Sequence, residues 1–434
     1  MKRISILACI LSVWFVTTAW AQQPATRPPN GRHLQHRMAS QASRTPGLTV
    51  SRSFNPQANP DHAAKVWELG TYSGGTWFST LDINDLGVLV GVGDVPPIGS
   101  DGFGYTHTLA VPLFGPRAGE WIDLGTLGGP KGWQYGAAIS DTGLVVNDSI
   151  APDGQMHGAA WTRETGWVDL GTLADTGHPQ YASYNSSLAT RANNLGTLIV
   201  GWSGVDGSPD APVVWTPSKV WMNGKFVTKW KIHKLDTTAL PDLTGWNVWT
   251  ANDYGQIIGT AWKSDGTIET AVLWNPRADG KGWKLMSLPP SPPYPFTQTF
   301  DINDRGEIVG VVAPTGSWST ILPVFWKPLD RKRTRYSQPI ELPLPEGGFT
   351  NCENVGINDL GDMVGDCWSD TEDLPARWTT KDLTFSEIIN FPADWGFAWG
   401  VNNNRIASVT YTGGQKCSAG VPWVYTCGGA IQLH

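Results

Sequence analysis

A ten-residue stretch, DINDLGVLVG at 82–91, returns almost unchanged as DINDRGEIVG at 301–310. Looser copies complete a set of seven: AISDTGLVVN (138–147), RANNLGTLIVG (191–201), TANDYGQIIG (250–259), GINDLGDMVG (356–365) and GVNNNRIASV (400–409). The spacing is roughly 50–60 residues, shortening to about 44 at the end, within the period range of propeller blades. A chain with this period is built from one supersecondary unit used repeatedly.

Two companion motifs keep the same beat. One is an apolar run usually ending in Trp: LAVPLF (109–114), GAAWT (158–162), PVVWTP (212–217), AVLWNP (271–276), LPVFWKP (322–328), LPARWT (374–379) and GVPWVY (420–425). The other is an outer segment: VWELG (66–70), WIDLGTLGG (121–129), WVDLGTL (167–173), WKIHKLD (230–236), WKLMSL (283–288), IELPLP (340–345) and FSEIINF (385–391), with AIQL (430–433) as an eighth candidate.

The Asn-Asp-x-Gly core of the motif has the residues of a three-residue hairpin loop. Asn suits the start of a type I turn, and Gly takes the left-handed position of a G1 bulge. The bulged register places Ile302 opposite Ile308, both facing the core, whereas a two-residue loop would pair Ile302 with Glu307. A one-residue slip inverts every side chain, so the bulged register is expected. Each unit then reads strand, turn, strand, Trp-strand, outer strand. Seven such units predict an all-β chain: a seven-bladed β-propeller of four-stranded antiparallel blades, with hairpin turns near 84, 140, 193, 252, 303, 358 and 402. A β-solenoid is the competing architecture, but its usual rung is shorter than this period.

The WIDLGTLGG, WVDLGTL and IND-x-G-x-I-V-G copies resemble the HAF-type probable extracellular repeat proteins of bacteria, over about residues 65 to 409. The resemblance fades in the last repeat, where Asn404 and Arg405 replace the turn glycine. It implies secretion and a repeat fold, and carries no catalytic residues with it.

The chain ends agree with export. Lys2 and Arg3, the apolar run Ile4–Val16 and Ala19-Trp20-Ala21 read as a signal peptide over residues 1–21. Residues 22–62 read as a flexible basic arm, with five arginines and no acid before Pro60, and residues 63–434 as the propeller. Eight outer-strand candidates compete for seven slots, and VWELG fits better than AIQL. The N-terminal strand is therefore expected to complete the last blade and cover an otherwise open sheet edge. No later stretch is long and apolar enough to span a bilayer. The expected location is secreted, extracellular or periplasmic.

The function classes narrow by chemistry. A net charge of −7 gives no footprint for nucleic acid. Asp141-Thr142-Gly143 and Asp175-Thr176-Gly177 spell the DTG of aspartic proteases, but the first is the shared hairpin turn and the second an inter-blade loop. DINDLG fails as a calcium loop, because Leu86 and Arg305 stand where an oxygen ligand is needed. The histidines fall at unrelated places in the repeat, and no HExxH, GxSxG or phosphate-loop motif exists. No catalytic residue, metal or cofactor is expected. The chain reads as a non-enzymatic binding or interaction module, a monomer whose partner is an extracellular glycan or protein. A carbohydrate-active propeller enzyme and a purely structural repeat protein are the alternatives.

The ligand-binding candidates are the aromatics entering each innermost strand: Trp77, Trp133, Tyr184, Trp246, Phe296, Phe349 and Trp395. Converging on one face, they could stack on sugars; the competing reading is that they pack between blades. If buried, they leave the long hairpin of the third repeat, with Trp221 and Phe226 beside the Met222–Lys225 tip, as the contact site. The recurrent Trp positions (Trp161, Trp215, Trp274, Trp326, Trp378, Trp423) read as packing. Of the four cysteines beyond the signal, Cys352–Cys367 is the expected disulfide. It needs a second strand irregularity, because the simple bulged register puts the pair on opposite faces. Cys417 and Cys427 flank a Trp-strand which, if straight, would hold them too far apart.

Overall fold

The computed structural model describes residues 65–434 apart from 98–104, 129–135, 209, 223, 291–295, 314–319, 370–371 and 418–425. Among the described residues it is all-β, with two short 3-10 turns.

After β1 (Val66–Gly70) come β2 (Phe78–Ile83), β3 (Val88–Val95), β4 (Tyr105–Pro112) and β5 (Ile122–Gly125), a four-stranded antiparallel meander. The next is β6 (Ala138–Ile139), β7 (Val145–Ile150), β8 (Met156–Thr162) and β9 (Gly166–Asp169). The third is β10 (Ser186–Ala192), β11 (Ile199–Gly204), β12 (Ala211–Met222) and β13 (Lys225–Lys234). An eight-stranded sheet follows. Its halves are β14 (Gly245–Ala251), β15 (Ile257–Trp262), β16 (Glu269–Pro276), β17 (Trp283–Ser287), and β18 (Phe296–Ile302), β19 (Ile308–Ala313), β20 (Leu322–Trp326), β21 (Ile340–Glu341). A single parallel pairing, Glu269 with Phe296, joins them. The last two sheets are β22 (Asn351–Ile357), β23 (Asp362–Trp368), β24 (Asp373–Thr379), β25 (Asp382–Ile388), and β26 (Trp395–Val401), β27 (Ile406–Thr412), β28 (Cys427–Gln432), β1.

The N-terminal strand thus completes the C-terminal sheet, with Val66 opposite Ile431 and Trp67 opposite Ala430. AIQL belongs to β28, the third strand of that sheet. This corrects the expectation for GVPWVY: it is β28, beginning at Cys427, that pairs with β27. Trp423 lies outside the described residues.

The hairpins have the bulged register. Ile83 faces Leu89, Ile302 faces Ile308 and Ile357 faces Met363, and the turn glycines Gly87, Gly306 and Gly361 take φ of 71°, 78° and 86°. Arg405 occupies the same left-handed position at φ 60°. The third copy has one residue more, so Ala192 faces Ile199 rather than Leu198.

A second irregularity recurs that the turn chemistry does not foretell. Three residues before the turn Asn, each inner strand among the first, third and later sheets skips a partner. The shifts fall between Thr80 and Asp82, Ala189 and Arg191, Val248 and Thr250, Thr299 and Asp301, and Asn354 and Gly356. A bulge kinks the strand and drives a carbonyl toward its partner. In these five copies the last motif residue, Gly91, Gly201, Gly259, Gly310 or Gly365, sits opposite the bulge. A Cβ on Gly310 would collide with the Gln298 carbonyl, and one on Gly365 with that of Glu353. The same bulge brings Cys352 opposite Cys367, and the two form a disulfide. Cys417 and Cys427 are also bonded, with Cα atoms 5.9 Å apart. Residues 418–425, which hold the Trp-strand expected between them, lie outside the described residues.

The recurrent tryptophans join neighbouring sheets. Trp215, Trp274, Trp326 and Trp378 are buried, and their Nε1–H groups donate to the carbonyls of Leu170, Asp236, Pro289 and Pro343. Each ring fills the wedge between sheets while its one polar atom is satisfied.

Candidate functional site

The Asn-Asp turns do more than reverse the chain. Each Asn accepts from the N–H four residues on, as in Val88 to Asn84 and Ile406 to Asn402. In five turns that Asn's amide then donates across to the next turn: Asn84 to Ser140 O, Asn252 to Asn303 O, Asn303 to Asn358 O, Asn358 to Asn402 O, and Asn402 to Asn84 O.

A second set of bonds makes an unbroken cycle through the following residue or, in the third turn, through the Asn194–Leu195 peptide. The N–H of Asp85 donates to Asp141 Oδ1 (2.7 Å), and that of Asp141 to Asn194 O (3.1 Å). Leu195 donates to Asp253 Oδ1, Asp253 to Asp304, Asp304 to Asp359, Asp359 to Asn403, and Asn403 returns to Asp85. The cycle closes on itself, so the turns surround a common axis.

That axis holds a polar cavity of about 70 Å³, lined among others by Asp82, Asp85, Asp141, Arg191, Asp301, Asp304 and Asp359. Arg191 Nη1 lies 3.8 Å from Asp82 and 3.9 Å from Asp301. One guanidinium thus faces an excess of carboxylates. Burial, with Asp82 adding repulsion, pushes Asp301 up to about 6 against the opposing pull of Arg191 and two backbone N–H groups. Asp141 is likewise pushed up to about 6, first by burial and then by repulsion from Asp85, Asp253 and Asp82. Asp253 and Asp304 move in the same direction, burial again leading.

Several of these carboxylates are also fastened. Asp82 Oδ2 accepts from Ile139 N, and Asp301 Oδ2 from Ile357 N. Asn403 Nδ2 bridges Asp85 and Asp359. The histidines of the first two sheets pair with the outer-strand acids: His107 with Asp123 and His157 with Asp169, both at 2.8 Å. Among the described residues no group of three or more His, Cys, Asp and Glu side chains is arranged to hold a metal ion.

The cavity has an apolar rim. The fifth motif residue stands at the tip of each turn, next to the residue of the cycle; it is polar in Thr142, Arg305 and Asn404 and apolar in the other four. Leu86, Leu195, Tyr254 and Leu360 are 66, 56, 62 and 40% exposed there. They make up four of the ten large hydrophobic residues left exposed among the described residues. Arg333 covers the Tyr254 ring with its guanidinium 4.0 Å from the centroid.

The sequence-predicted aromatics are elsewhere. Trp246, Phe296, Phe349 and Trp395 are buried. Trp246 packs on Trp274, Trp395 on Phe397, and Phe349 lies in the core with Phe325 and Trp378. Trp77 and Tyr184 are half-buried, Tyr184 against Tyr181. Trp133 lies outside the described residues. An exposed aromatic ring is therefore not what these positions form: at the end of the sheet away from the Asn-Asp turn, large rings fill the space between adjacent sheets. The rim residues were legible as the one variable, often apolar place in a turn otherwise made of Asn, Asp and Gly. Arg191 was legible as the one cation at its motif position.

Comparison with known proteins adds little. No family model matches the chain, and no curated protein does. A solved Dyadobacter fermentans protein of unknown function is similar over 85% of this chain and 98% of its own, at 8% identity and a TM-score of 0.41. The Pyrococcus horikoshii acylaminoacyl peptidase aligns over 80% of this chain and 51% of its own, at 9% identity and a TM-score of 0.45. The Aleuria aurantia lectin aligns over 75% and 99%, at 10% identity and a TM-score of 0.30.

Proposed function

We propose that this chain is a secreted, non-catalytic binding module built as a seven-bladed β-propeller, with its ligand site on the face where the Asn-Asp turns converge. Seven turn motifs, four-stranded meanders and the closed hydrogen-bond cycle support the architecture. The HAF-like repeats, the signal-like N-terminus and two disulfides suit an exported protein.

The observation that carries the binding reading is the pairing of an acid-walled cavity with an exposed Leu/Tyr rim. Exposed apolar groups framing a polar centre are the usual make-up of a recognition site. The chemistry fits an extracellular partner presenting a basic or hydroxyl-rich group within an apolar surround: a peptide lysine or arginine, or the end of a glycan. Catalysis is disfavoured because Asp82 and Asp301 are held by backbone N–H groups and share Arg191. A general acid or base needs a carboxyl free to exchange its proton with substrate.

The test is retention on immobilised basic peptides and polysaccharides, read together with product release. Leu86→Ser/Tyr254→Ser should weaken retention at least tenfold without lowering the melting temperature, because these side chains are exposed. Released product would make the chain an enzyme. No retention on either class of surface would leave a structural repeat protein.

A further inference from the structure

The third sheet carries a long hairpin extension. β12 and β13 pair from Val213–Lys234 out to Met222–Lys225, but β11 accompanies β12 only as far as Trp215. From Thr216–Lys231 outward the hairpin is a bare two-stranded ribbon, roughly 20 Å long at about 3.3 Å per residue. Its direction follows from the pairing. Trp215 faces Ile199, and Ile199 faces Ala192 beside the Asn-Asp turn. The ribbon therefore projects from the same face as the apolar rim.

Thr216–Lys234 contains five lysines and no acid, in a protein of net charge −7. Near the tip Trp221 and Phe226 face each other across the strands, their rings 4.9 Å apart and 61 and 66% exposed. Val220 beside them is exposed as well. Lys219, Lys229 and Lys231 lie farther back and are exposed. A cross-strand aromatic pair steadies a hairpin, but that purpose does not call for a tip apolar enough to be a liability in water.

We propose that this hairpin docks the protein on an anionic lipid surface. Trp and Phe at the tip would enter the headgroup–acyl boundary, where aromatic rings are favoured. The lysines, set back along the ribbon, would lie at the level of the lipid phosphates and extend their heads to them. An acidic protein or polysaccharide would engage the lysines equally well. It would give no reason for two large rings at the leading end, and this asymmetry favours a bilayer. Docked in this way, the ribbon turns the rim and axial cavity toward the membrane.

Vesicle flotation of the purified protein tests this. Phosphatidylcholine vesicles with about 30% phosphatidylglycerol should carry the protein upward, and pure phosphatidylcholine should not, since each lysine near an anionic surface contributes about fivefold in partitioning. Raising the salt from about 0.05 to about 0.5 M should weaken it, because screening shortens the reach of the lysines. Trp221→Ala/Phe226→Ala should cost at least tenfold, and Lys219→Glu/Lys229→Glu/Lys231→Glu should abolish flotation. The lysine variant leaves the aromatic pair intact, so it decides the matter even if the first variant folds poorly. The proposal is overturned if the wild-type chain stays with the pellet, if either folded variant floats as the wild type does, or if the chain binds polygalacturonate in preference to vesicles. Each of these outcomes leaves the axial binding site untouched.

Discussion

Gly310→Ala isolates the close approach that the inner-strand bulge creates. Gly310 has an ordinary backbone conformation, so an added methyl group acts by sterics alone. Its Cβ would fall inside the Gln298 carbonyl oxygen and within 2.9 Å of both the Gln298 carbonyl carbon and Thr299 Cα, where real Cβ atoms keep at least 3.0 Å. These are backbone atoms and cannot rotate away. The inner strand must move, and its anchors move with it: Thr299 Oγ1 donates to Gly259 O at 2.9 Å, and Asp301 Oδ2 accepts from Ile357 N at 3.0 Å. Overpacking costs roughly 1–3 kcal/mol, and weakening two buried hydrogen bonds adds about 1–3 kcal/mol. The expected loss is about 4 kcal/mol. Gly143→Ala supplies the control. It sits at φ 81° with nothing within 4 Å of its Cβ, so only the left-handed backbone opposes it, at about 1–2 kcal/mol. Urea denaturation followed by two probes compares the midpoints at a common m value. If Gly310→Ala costs no more than Gly143→Ala, the coupling between bulge and glycine is refuted.

Removing residues 22–72 should lower the melting temperature far more than removing 22–60, because only the longer deletion takes β1 and exposes the edge of β28; equal melting temperatures would mean that β1 contributes nothing to closure. Cys352→Ala/Cys367→Ala should cost about 3 kcal/mol by the entropy of a loop of 15 residues, and non-reducing peptide mapping should recover both this bridge and Cys417–Cys427. Asp141 binds its proton more tightly folded than unfolded, so its charge burdens the fold increasingly as pH rises from near 4 through about 6. Asp141→Asn keeps an oxygen for the Asp85 N–H, and should raise stability at pH 7 while changing it little at pH 4; an unchanged pH profile would show that Asp141 does not titrate in this range.

The candidate site was legible only in part. Asn84 and its counterparts read as turn formers, which they are, but the donors that cross to the next turn act between units some 50 residues apart. No local rule reports what a side chain meets at that separation. The aromatics misled for the converse reason: Trp246 or Trp395 before a strand looks the same whether it crowns an open mouth or closes a gap between sheets. Tyr254 and Leu86 gave a fairer signal, since a bulky apolar residue at a tight turn tip has little core within reach.

What the sequence determined by itself is whatever a repeat makes local. The period, the strand order within a unit, the hairpin register and the better fit of Val66–Gly70 as the closing strand all follow from turn chemistry and alternation over a few residues. Only the tertiary structure decided where the bulge at Thr299–Asp301 falls, that Cys417 and Cys427 also meet, which rings are covered, and that the acids of separate turns gather around Arg191. Those outcomes depend on how neighbouring sheets press together, and burial and charge repulsion are properties of that assembly rather than of any one segment.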